Sequence, residues 1–481
     1  MAEDEEKKPA TKAEPPAERS ETTDHQVAIG GRKIAYTATA ATTTLNAEDG
    51  TPRASIFTVS YTATGKGDPT RRPITYAFNG GPGSSSIWLH LGVLGPKRIA
   101  LGDQATPPAP PYRLTDNAES ILDLTDLVFI DPVSTGWSRA VEKDKAKEFH
   151  GLKEDTEAVG DLIRLLTSRA GRWSSPKFLA GESYGTTRAA SLSGYLQDRH
   201  GMYLNGIVLL SAILLFGTAR PARGNDLPYL LYLPSYAATA WFHGRLAKTF
   251  KSIDKLLAEV EEFAVGEYAS VLLRGPRATR AEKDAVRSRL AVYTGLSESY
   301  LESTDLRIAP HRFFKELMRD QRRSVGRLDS RFLGIDPDAA GESDTYDPAY
   351  GMIQGAYTAA LNAYLHDDLK FDTDLLYEAL RGEAVRPWKW GEAGENQYVD
   401  VASTLAQAMS VNRSLRVFLG SGIYDLATPY MAAEWTFDHM RLDPEVAGNV
   451  VRKRYQAGHM MYLHEPSIRQ LKKDLEAFYR A

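Results

Sequence analysis

The sequence predicts an α/β protein whose central sheet is mostly parallel and is flanked by helices. Continuous apolar runs such as "TDLVFIDPV" and "NGIVLLSAIL" are typical of strands that are buried on both faces, as parallel strands are. Segments with helical spacing of apolar residues alternate with these runs up to about residue 216, and strand signals return after about residue 395. Helical patterns dominate the stretch between them. We therefore expect one α/β core that is interrupted by a helical insertion.

This pattern divides the chain into four segments. They are a disordered tail (1–25), a first part of the core (26–216), a helical cap insertion (217–395) and a second part of the core (396–481). The tail has no aromatic or branched aliphatic residue before Val27, so it buries too little apolar surface to offset the entropy of ordering it. The cap is expected to lie over the open end of the sheet, and an independent middle domain is the alternative.

Each predicted element follows from a local pattern. Residues 27–40 and 54–65 are rich in Val, Ile, Thr, Tyr and Phe, and turn residues separate them, which predicts a hairpin or meander. The remaining core elements are a strand at 73–78, a strand at 125–133, a helix at 154–170, a strand at 177–182 entering a sharp turn, a helix at 186–199, a strand at 205–214, strand signals at 414–429 and 452–466, and a closing helix at 467–481. Helical patterns in the cap cover 252–273, 281–295, 310–328 and 356–369.

The composition excludes several classes of function. A net charge of −4 over 481 residues gives no general attraction to nucleic acid or to an anionic membrane, and no apolar run reaches 18 residues. The absence of cysteine excludes disulfides, thiolate catalysis and cysteine-ligated zinc. The N-terminus has no apolar signal core, so we expect a cytoplasmic protein as the sequence stands, or a periplasmic or secreted one if a signal was removed.

The motif "GESYG" (181–185) fits G-x-S-x-G between a predicted strand and a predicted helix. In this context the motif forms a nucleophile elbow, a strained turn that presents the Ser183 hydroxyl above the sheet. Short motifs of this kind also occur by chance, and a serine nucleophile needs a general base and a group that orients the base. Asp425 at the end of a buried strand and His459 in "QAGHMMY" follow Ser183 in the chain order that such elbows use.

The glycine-rich stretch "NGGPG" (79–83) follows the predicted strand 73–78. Bare backbone after a strand commonly binds a phosphate or donates an N–H group to an oxyanion. No lysine stands at Walker spacing and no third glycine completes G-x-G-x-x-G, so the phosphate interpretation fails.

Five blocks, "NGGPGSSS", "DLVFIDPVSTGWS", "GESYG", "GSGIYDLATP" and "AGHMMY", resemble the signature blocks of the serine carboxypeptidase family in its bacterial branch. They occur in family order and span about residues 27–475. The resemblance implies an α/β-hydrolase fold with a helical insertion. It also implies that Ser183 is the nucleophile, His459 the general base and Asp425 the group that orients it, with the amides of Gly81 and Tyr184 as oxyanion donors.

The resemblance further implies that Asn79, Gly80 and Glu182 bind the substrate, with Asn79 and Glu182 hydrogen-bonded to its terminal carboxylate. The sequence departs from the family at the two remaining positions of that site. Ala77 stands where the family has a tryptophan, and Val93 stands where it has a second glutamate. Carboxylate recognition is therefore incomplete.

Three other polar residues near these motifs are interpreted as structural. A salt bridge is the favoured role for Arg188, although its cation could bind a carboxylate. His90 is expected to be a packing histidine, and Asp131 is expected to support the fold.

The sequence thus predicts a serine hydrolase that cleaves C-terminal residues from peptides. An esterase or acyltransferase with the same triad is the first alternative, and a catalytically inactive binding protein is the second. The expected substrate is a peptide or a small acyl compound. No cofactor is implied, and no cluster of His, Glu and Asp has metal-ligand spacing.

Overall fold

The computed structural model of the protein describes residues 17–65, 68–99, 101, 109–247 and 250–481. The strands are β1 Ser20–Ile29, β2 Arg32–Asn46, β3 Pro52–Thr64, β4 Ile74–Phe78, β5 Lys97–Ile99, β6 Leu114–Asp116, β7 Asp126–Ile130, β8 Arg139–Ala140, β9 Lys177–Glu182, β10 Gly206–Leu210, β11 Arg323–Val325, β12 Leu333–Ile335, β13 Arg416–Gly422 and β14 Val450–Tyr455. The helices are α1 Ile87–Leu89, α2 Leu152–Arg169, α3 Tyr184–His200, α4 Leu227–Phe242, α5 Ile253–Phe263, α6 Ala269–Arg274, α7 Arg280–Thr294, α8 Glu298–Ser303, α9 Pro310–Glu316, α10 Pro348–Ala363, α11 Ala402–Val411, α12 Tyr430–His439, α13 Pro444–Ala447 and α14 Glu465–Arg480.

The main sheet has the strand order β1-β2-β3-β7-β4-β9-β10-β13-β14, and β8 pairs with β3. From β7 to β14 every neighbouring pair is parallel, whereas β1, β2 and β3 continue the sheet in antiparallel fashion at the β7 edge. The prediction of a mostly parallel α/β sheet is confirmed. The parallel strands β4, β9 and β10 are buried along their whole length, as strands covered on both faces of a sheet are.

Side chains of each central strand alternate between two apolar layers, one on either face of the sheet. In β7, Leu127 and Phe129 join the layer that contains the apolar side of α14, while Val128 and Ile130 join the layer that contains α2 and α3. The helices therefore cover both faces. The carboxyl ends of β4, β9, β10 and β13 meet at one edge of the sheet, where functional residues of open α/β sheets collect.

The N-terminal boundary differs from the prediction. Residues 1–16 of the predicted disordered tail lie outside the described residues, but β1 already begins at Ser20 and pairs with β2 from Ser20 opposite Ala41. The segment 27–40, taken as one strand, is split by a turn at Gly30 and Gly31, whose φ values of +55° and +75° suit a two-residue hairpin. The polar residues before Val27 are ordered because their backbone joins the edge of the sheet.

The cap contains helices α4 to α10 between β10 and β13. Helices α4 to α9 surround a core of their own, which also takes in Ile423, Tyr424 and Leu426 from the loop after β13. The helix predicted over 310–328 ends at Glu316, and the chain continues into the short antiparallel pair β11–β12. Helix α4 was not predicted, and it contains Pro234 within its length. No helix among the described residues has the length and apolar character needed to cross a membrane.

Candidate active site

Ser183 occupies the sharp turn between β9 and α3. Its backbone has φ 60° and ψ −129°, a strained conformation for a residue with a side chain. The turn is tight enough that a Cβ atom on Gly181 would lie 2.2 Å from the Gly185 carbonyl oxygen, so the motif needs glycine at that position. Strain of this kind persists only where the surrounding structure holds it, and β9 and α3 do so here. The local geometry is that of a nucleophile elbow.

His459 and Asp425 are brought together although 34 residues separate them in the sequence. His459 Nδ1 lies 2.7 Å from Asp425 Oδ2, and both side chains are buried. Asp425 also accepts hydrogen bonds from the amides of Ala427 and Thr428, at 2.7 and 3.0 Å, and from the Thr428 hydroxyl at 2.8 Å. These bonds fix the carboxylate, which in turn orients the imidazole.

The environment of His459 favours its protonated form. Burial alone would lower the pKa of His459, but the charge and the hydrogen bond of Asp425 outweigh burial and raise the pKa above its ordinary value. With Nδ1–H donated to Asp425, Nε2 is left to accept a proton. This is the arrangement that a general base requires.

A segment of the cap, Arg327 to Ser330, contacts the loops of both residues. The Leu328 carbonyl accepts a hydrogen bond from the His459 amide at 2.6 Å, and the Arg327 carbonyl accepts one from Leu426 at 3.0 Å. Asp329, which is buried, accepts a hydrogen bond from the Gly458 amide through Oδ2 at 3.1 Å. We call residues 327–330 the brace segment. Sequence reasoning missed it, since no local motif marks a contact across 129 residues.

The glycine loop packs against the N-terminus of α3. A Cβ atom on Gly80 would lie 2.4 Å from the Tyr184 amide nitrogen, and Gly81 has φ +103°, a conformation that favours glycine. Within the described residues, the Gly81 and Tyr184 amides donate no hydrogen bond to a main-chain carbonyl. Two free amides beside a nucleophile can polarise an acyl oxygen and stabilise the oxyanion that forms from it.

Asn79 and Glu182 form a buried pair behind this loop. Asn79 Nδ2 donates a hydrogen bond to Glu182 Oε1 at 2.9 Å, and Asn79 Oδ1 accepts one from the Leu89 amide at 2.9 Å. Burial raises the pKa of Glu182 to about 7, against the opposing effect of the His459 charge. Among the described residues Glu182 Oε2 has no hydrogen-bond partner, although the Tyr462 hydroxyl lies beside it. Glu182 can therefore exchange a proton near neutral pH.

These residues share one cavity of about 1030 Å³. Ser183, His459, Glu182 and Asn79 lie on its wall together with Gly80 and Gly81. Much of the remaining wall is aromatic or aliphatic, and includes Trp88, Tyr350, Ile353, Leu380, Val385, Trp388, Trp390 and Met460. Among the residues that the structure describes, no three His, Asp or Glu side chains lie close enough to hold a metal ion.

Residues 49–216 match the model of the serine carboxypeptidase family. This family match and the fold together support a serine hydrolase. None of the curated proteins compared with the chain matches it.

Solved structures with the α/β-hydrolase fold resemble the chain at low sequence identity. Kex1Δp, a prohormone-processing carboxypeptidase from Saccharomyces cerevisiae, is 15% identical, with a TM-score of 0.57 over 92% of this chain and 91% of its own. A thermostable carboxyl esterase from Bacillus coagulans is 13% identical, with a TM-score of 0.38 over 91% and 97% of the two chains. A putative aryl esterase from Burkholderia cenocepacia is 14% identical, with a TM-score of 0.35 over 91% and 98%.

The two positions that depart from the family pattern are apolar and buried in the structure. Ala77 lies within β4, and Val93 lies in the helical turn that follows α1. The ring of Tyr462 and the hydroxyl of Tyr357 close over Gly92, next to Val93. Val93, the position at which the resemblance leads us to expect a second acid, thus lies in a buried surrounding with two tyrosines nearby.

Arg188 does not face the cavity. It is buried and forms a salt bridge with Asp155, with Nε and Nη2 at 2.7 and 3.2 Å from the carboxylate oxygens. Its Nη1 donates to the Asn79 carbonyl at 2.6 Å and so supports the glycine loop. All three contacts are structural, which removes Arg188 as a binder of substrate carboxylate.

His90 and Asp131 are also held by structural contacts. His90 Nε2 lies 2.5 Å from the Tyr61 hydroxyl and its ring stacks on Phe129, while burial lowers the pKa of His90 to about 3. Asp131 accepts hydrogen bonds from the amide and hydroxyl of Ser86 and from the Tyr377 hydroxyl. Both residues are buried, and neither is among the residues that line the cavity.

Proposed function

We propose that the protein hydrolyses C-terminal peptide bonds, with Ser183 as nucleophile, His459 as general base and Asp425 as the group that orients the base. The observation that carries this proposal is the 2.7 Å contact between His459 Nδ1 and Asp425 Oδ2, in a cavity that Ser183 also lines. The strained backbone of Ser183 and the two free amides beside it add independent support.

The reaction proceeds through an acyl-enzyme. Ser183 Oγ attacks the scissile carbonyl carbon while His459 Nε2 takes the hydroxyl proton, and Asp425 stabilises the resulting imidazolium. The Gly81 and Tyr184 amides hold the oxyanion of the tetrahedral intermediate. His459 then gives the proton to the leaving amine, which departs with the C–N bond electrons. Water, deprotonated by the same histidine, hydrolyses the ester on Ser183 and restores the hydroxyl.

Asn79, Gly80 and Glu182 are the proposed contacts for the end of the peptide. A protonated Glu182 can donate a hydrogen bond to the substrate carboxylate, whereas an ionised Glu182 repels it. Since burial raises the pKa of Glu182 to about 7, this contact is favoured in acid and weakens as the pH rises past neutrality. The aromatic wall suits an apolar side chain next to the scissile bond.

An esterase with the same catalytic residues is the second candidate. It is favoured by the loss of half of the family's carboxylate site, at Ala77 and Val93. An ester or blocked amide does not need that site, because it brings no carboxylate to be bound. An inactive binding protein is disfavoured, since the elbow, the His459–Asp425 pair and the glycine loop are all intact.

A mixed peptide pool tests the proposal directly. The wild-type protein should produce mass ladders that shorten from the C-terminus, and Ser183→Ala should produce none. Ladders from the N-terminus, or ladders that persist in the variant, would reject the assignment. Hydrolysis of simple esters without any peptide ladder would favour the esterase.

A further inference from the structure

Three arginines lie on the cavity wall, Arg220, Arg327 and Arg386. Arg386 is paired with Glu383, with 3.4 Å between Nη1 and Oε1. Arg327 lies 3.9 Å from Asp347, but that carboxylate is already bonded to three backbone amides, those of Arg327, Leu328 and Ala349. The 3.9 Å contact is too long for a hydrogen bond, so within the described residues no carboxylate is hydrogen-bonded to the Arg327 guanidinium.

Arg220 has no carboxylate within 4 Å among the residues that the structure describes, and its guanidinium lies 5.7 Å from the centre of the Phe216 ring. It stands at the start of the cap, whereas Arg327 belongs to the brace segment. Both positive charges act on Tyr232 of α4, as does the negative charge of Asp425. Both arginines line the same cavity as Ser183 and His459.

The main chain at Arg327 contacts the loops that carry Asp425 and His459. Its carbonyl accepts a hydrogen bond from Leu426, the residue after Asp425, and the carbonyl of the next residue, Leu328, accepts one from His459. The Arg327 side chain is half exposed, with 50% of its surface accessible, and Arg327 lines the cavity together with Ser183. It can therefore meet a substrate that is bound at Ser183.

We propose that Arg327, assisted by Arg220, forms a carboxylate subsite on the cap wall of the cavity. This inference rests on the proposed function and specifies the substrate class of the same site. A guanidinium binds a carboxylate through paired hydrogen bonds and stays charged throughout the neutral pH range. It offsets the loss of the family's second acid, because it needs no proton to attract an anion. The carboxylate comes either from the C-terminus of the peptide or from an acidic side chain near the scissile bond.

Four matched peptides separate these sources at about pH 8, where Glu182 is largely ionised. One ends in a free carboxylate and one is its C-terminal amide. The other two are amides that carry glutamate or glutamine beside the scissile bond. Arg327→Gln should lower kcat/KM for a carboxylate-bearing peptide by about 10- to 100-fold and for its neutral counterpart by less than about threefold. Arg220→Gln should act in the same direction with a smaller effect.

The pair of peptides whose relative kcat/KM changes in Arg327→Gln identifies the source of the carboxylate. Arg386→Gln is the matched control, since that arginine lines the same cavity but is paired with Glu383. In each pair of peptides, this variant should leave the ratio of kcat/KM for the carboxylate-bearing peptide to that for its neutral counterpart unchanged. An equal loss on all four peptides in Arg327→Gln, or no loss on any, would overturn the subsite. Hydrolysis of an uncharged ester by the same proteins distinguishes the two proposals. If the wild type cleaves no peptide, the proposed function fails, whether or not the ester is cleaved. If it cleaves the peptides and Arg327→Gln does not change the preference for a carboxylate, only the subsite fails.

Discussion

Replacing Glu182 by glutamine should remove the pH dependence with which the protein prefers a free C-terminal carboxylate over an amide. Glu182 is buried, bonded through Oε1 to Asn79, and has its pKa raised to about 7 by burial. Its protonated form donates a hydrogen bond to a carboxylate, and its ionised form repels one. A glutamine amide donates at any pH.

The magnitude follows from this pKa. A group with a pKa near 7 is about nine-tenths protonated at pH 6 and about one-tenth protonated at pH 8. The ratio of kcat/KM for a peptide to that for its amide should therefore fall about tenfold between these pH values in the wild type. The other ionisable groups around Glu182 are His459, Asp425, Tyr357 and Tyr462. Protonation of His459 as the general base changes both rates alike, whereas its charge also acts on Glu182 and shifts the pH at which the ratio falls. Burial keeps both tyrosines protonated because it raises their pKa values.

The assay is kcat/KM for the free peptide and its amide from about pH 5 to about pH 9, in the wild type and in Glu182→Gln. We expect a falling ratio in the wild type and a constant ratio in the variant. Arg327 would set the level of the ratio but not its slope, because its charge does not change over this range. A constant ratio in the wild type, or a tenfold fall that persists in the variant, would refute this account of Glu182.

Three further predictions concern the catalytic machinery. Ser183→Ala should lower kcat by about four orders of magnitude or more. Adding His459→Ala should lower kcat little further, since such residues act as one unit. If Ser183→Ala kept a tenth of the wild-type activity, Ser183 would not be the nucleophile. Gly81→Val should lower kcat by at least about 10²–10³, because the residue has φ +103° and its Cβ would lie 2.8 Å from the Gly83 nitrogen; a folded variant with normal rates would move the oxyanion donors elsewhere. Asp329→Ala should lower kcat by about 10- to 100-fold with little change in KM, and Asp329→Asn should recover most of it by keeping an acceptor for the Gly458 amide. Asp336→Asn is the control, because it removes another buried carboxylate of the cap, one paired with Lys315, and it should leave kcat unchanged. An equal loss of kcat in Asp329→Ala and Asp336→Asn would mean that the effect comes from the stability of the cap.

The parallel core could be predicted because its strands are marked locally. Strands β7 and β10 lie in continuous apolar runs, β4 and β9 are short segments that lead into glycine-containing turns, and helix α2 shows apolar residues at helical spacing. The hairpin of β1 and β2 was missed although Gly30 and Gly31 mark it, because the polar residues before Val27 outweighed that signal. Helix α4 was missed because Pro234 usually ends a helix, whereas here the surrounding apolar packing tolerates it.

The candidate site was predictable only where short motifs carry its residues. Such motifs contain Ser183, Asp425, His459 and Asn79. In the structure Ser183, His459 and Asn79 line one cavity, and Asp425 contacts His459. The brace segment could not be predicted, since it depends on contacts between the cap and loops more than ninety residues away. The positions of Arg220 and Arg327 on the cavity wall depend on the fold of the cap and could not be predicted either. Their residues have no spacing that distinguishes them from other surface charges in the sequence.

The central claim is that Ser183 is a nucleophile activated by His459. A fluorophosphonate reacts covalently with an activated serine, and tandem mass spectrometry of the digested protein locates the modified residue. The account predicts a single adduct on Ser183 in the wild type and a much slower reaction in His459→Ala. Labelling at another serine, or equal labelling of Ser183 with and without His459, would contradict it.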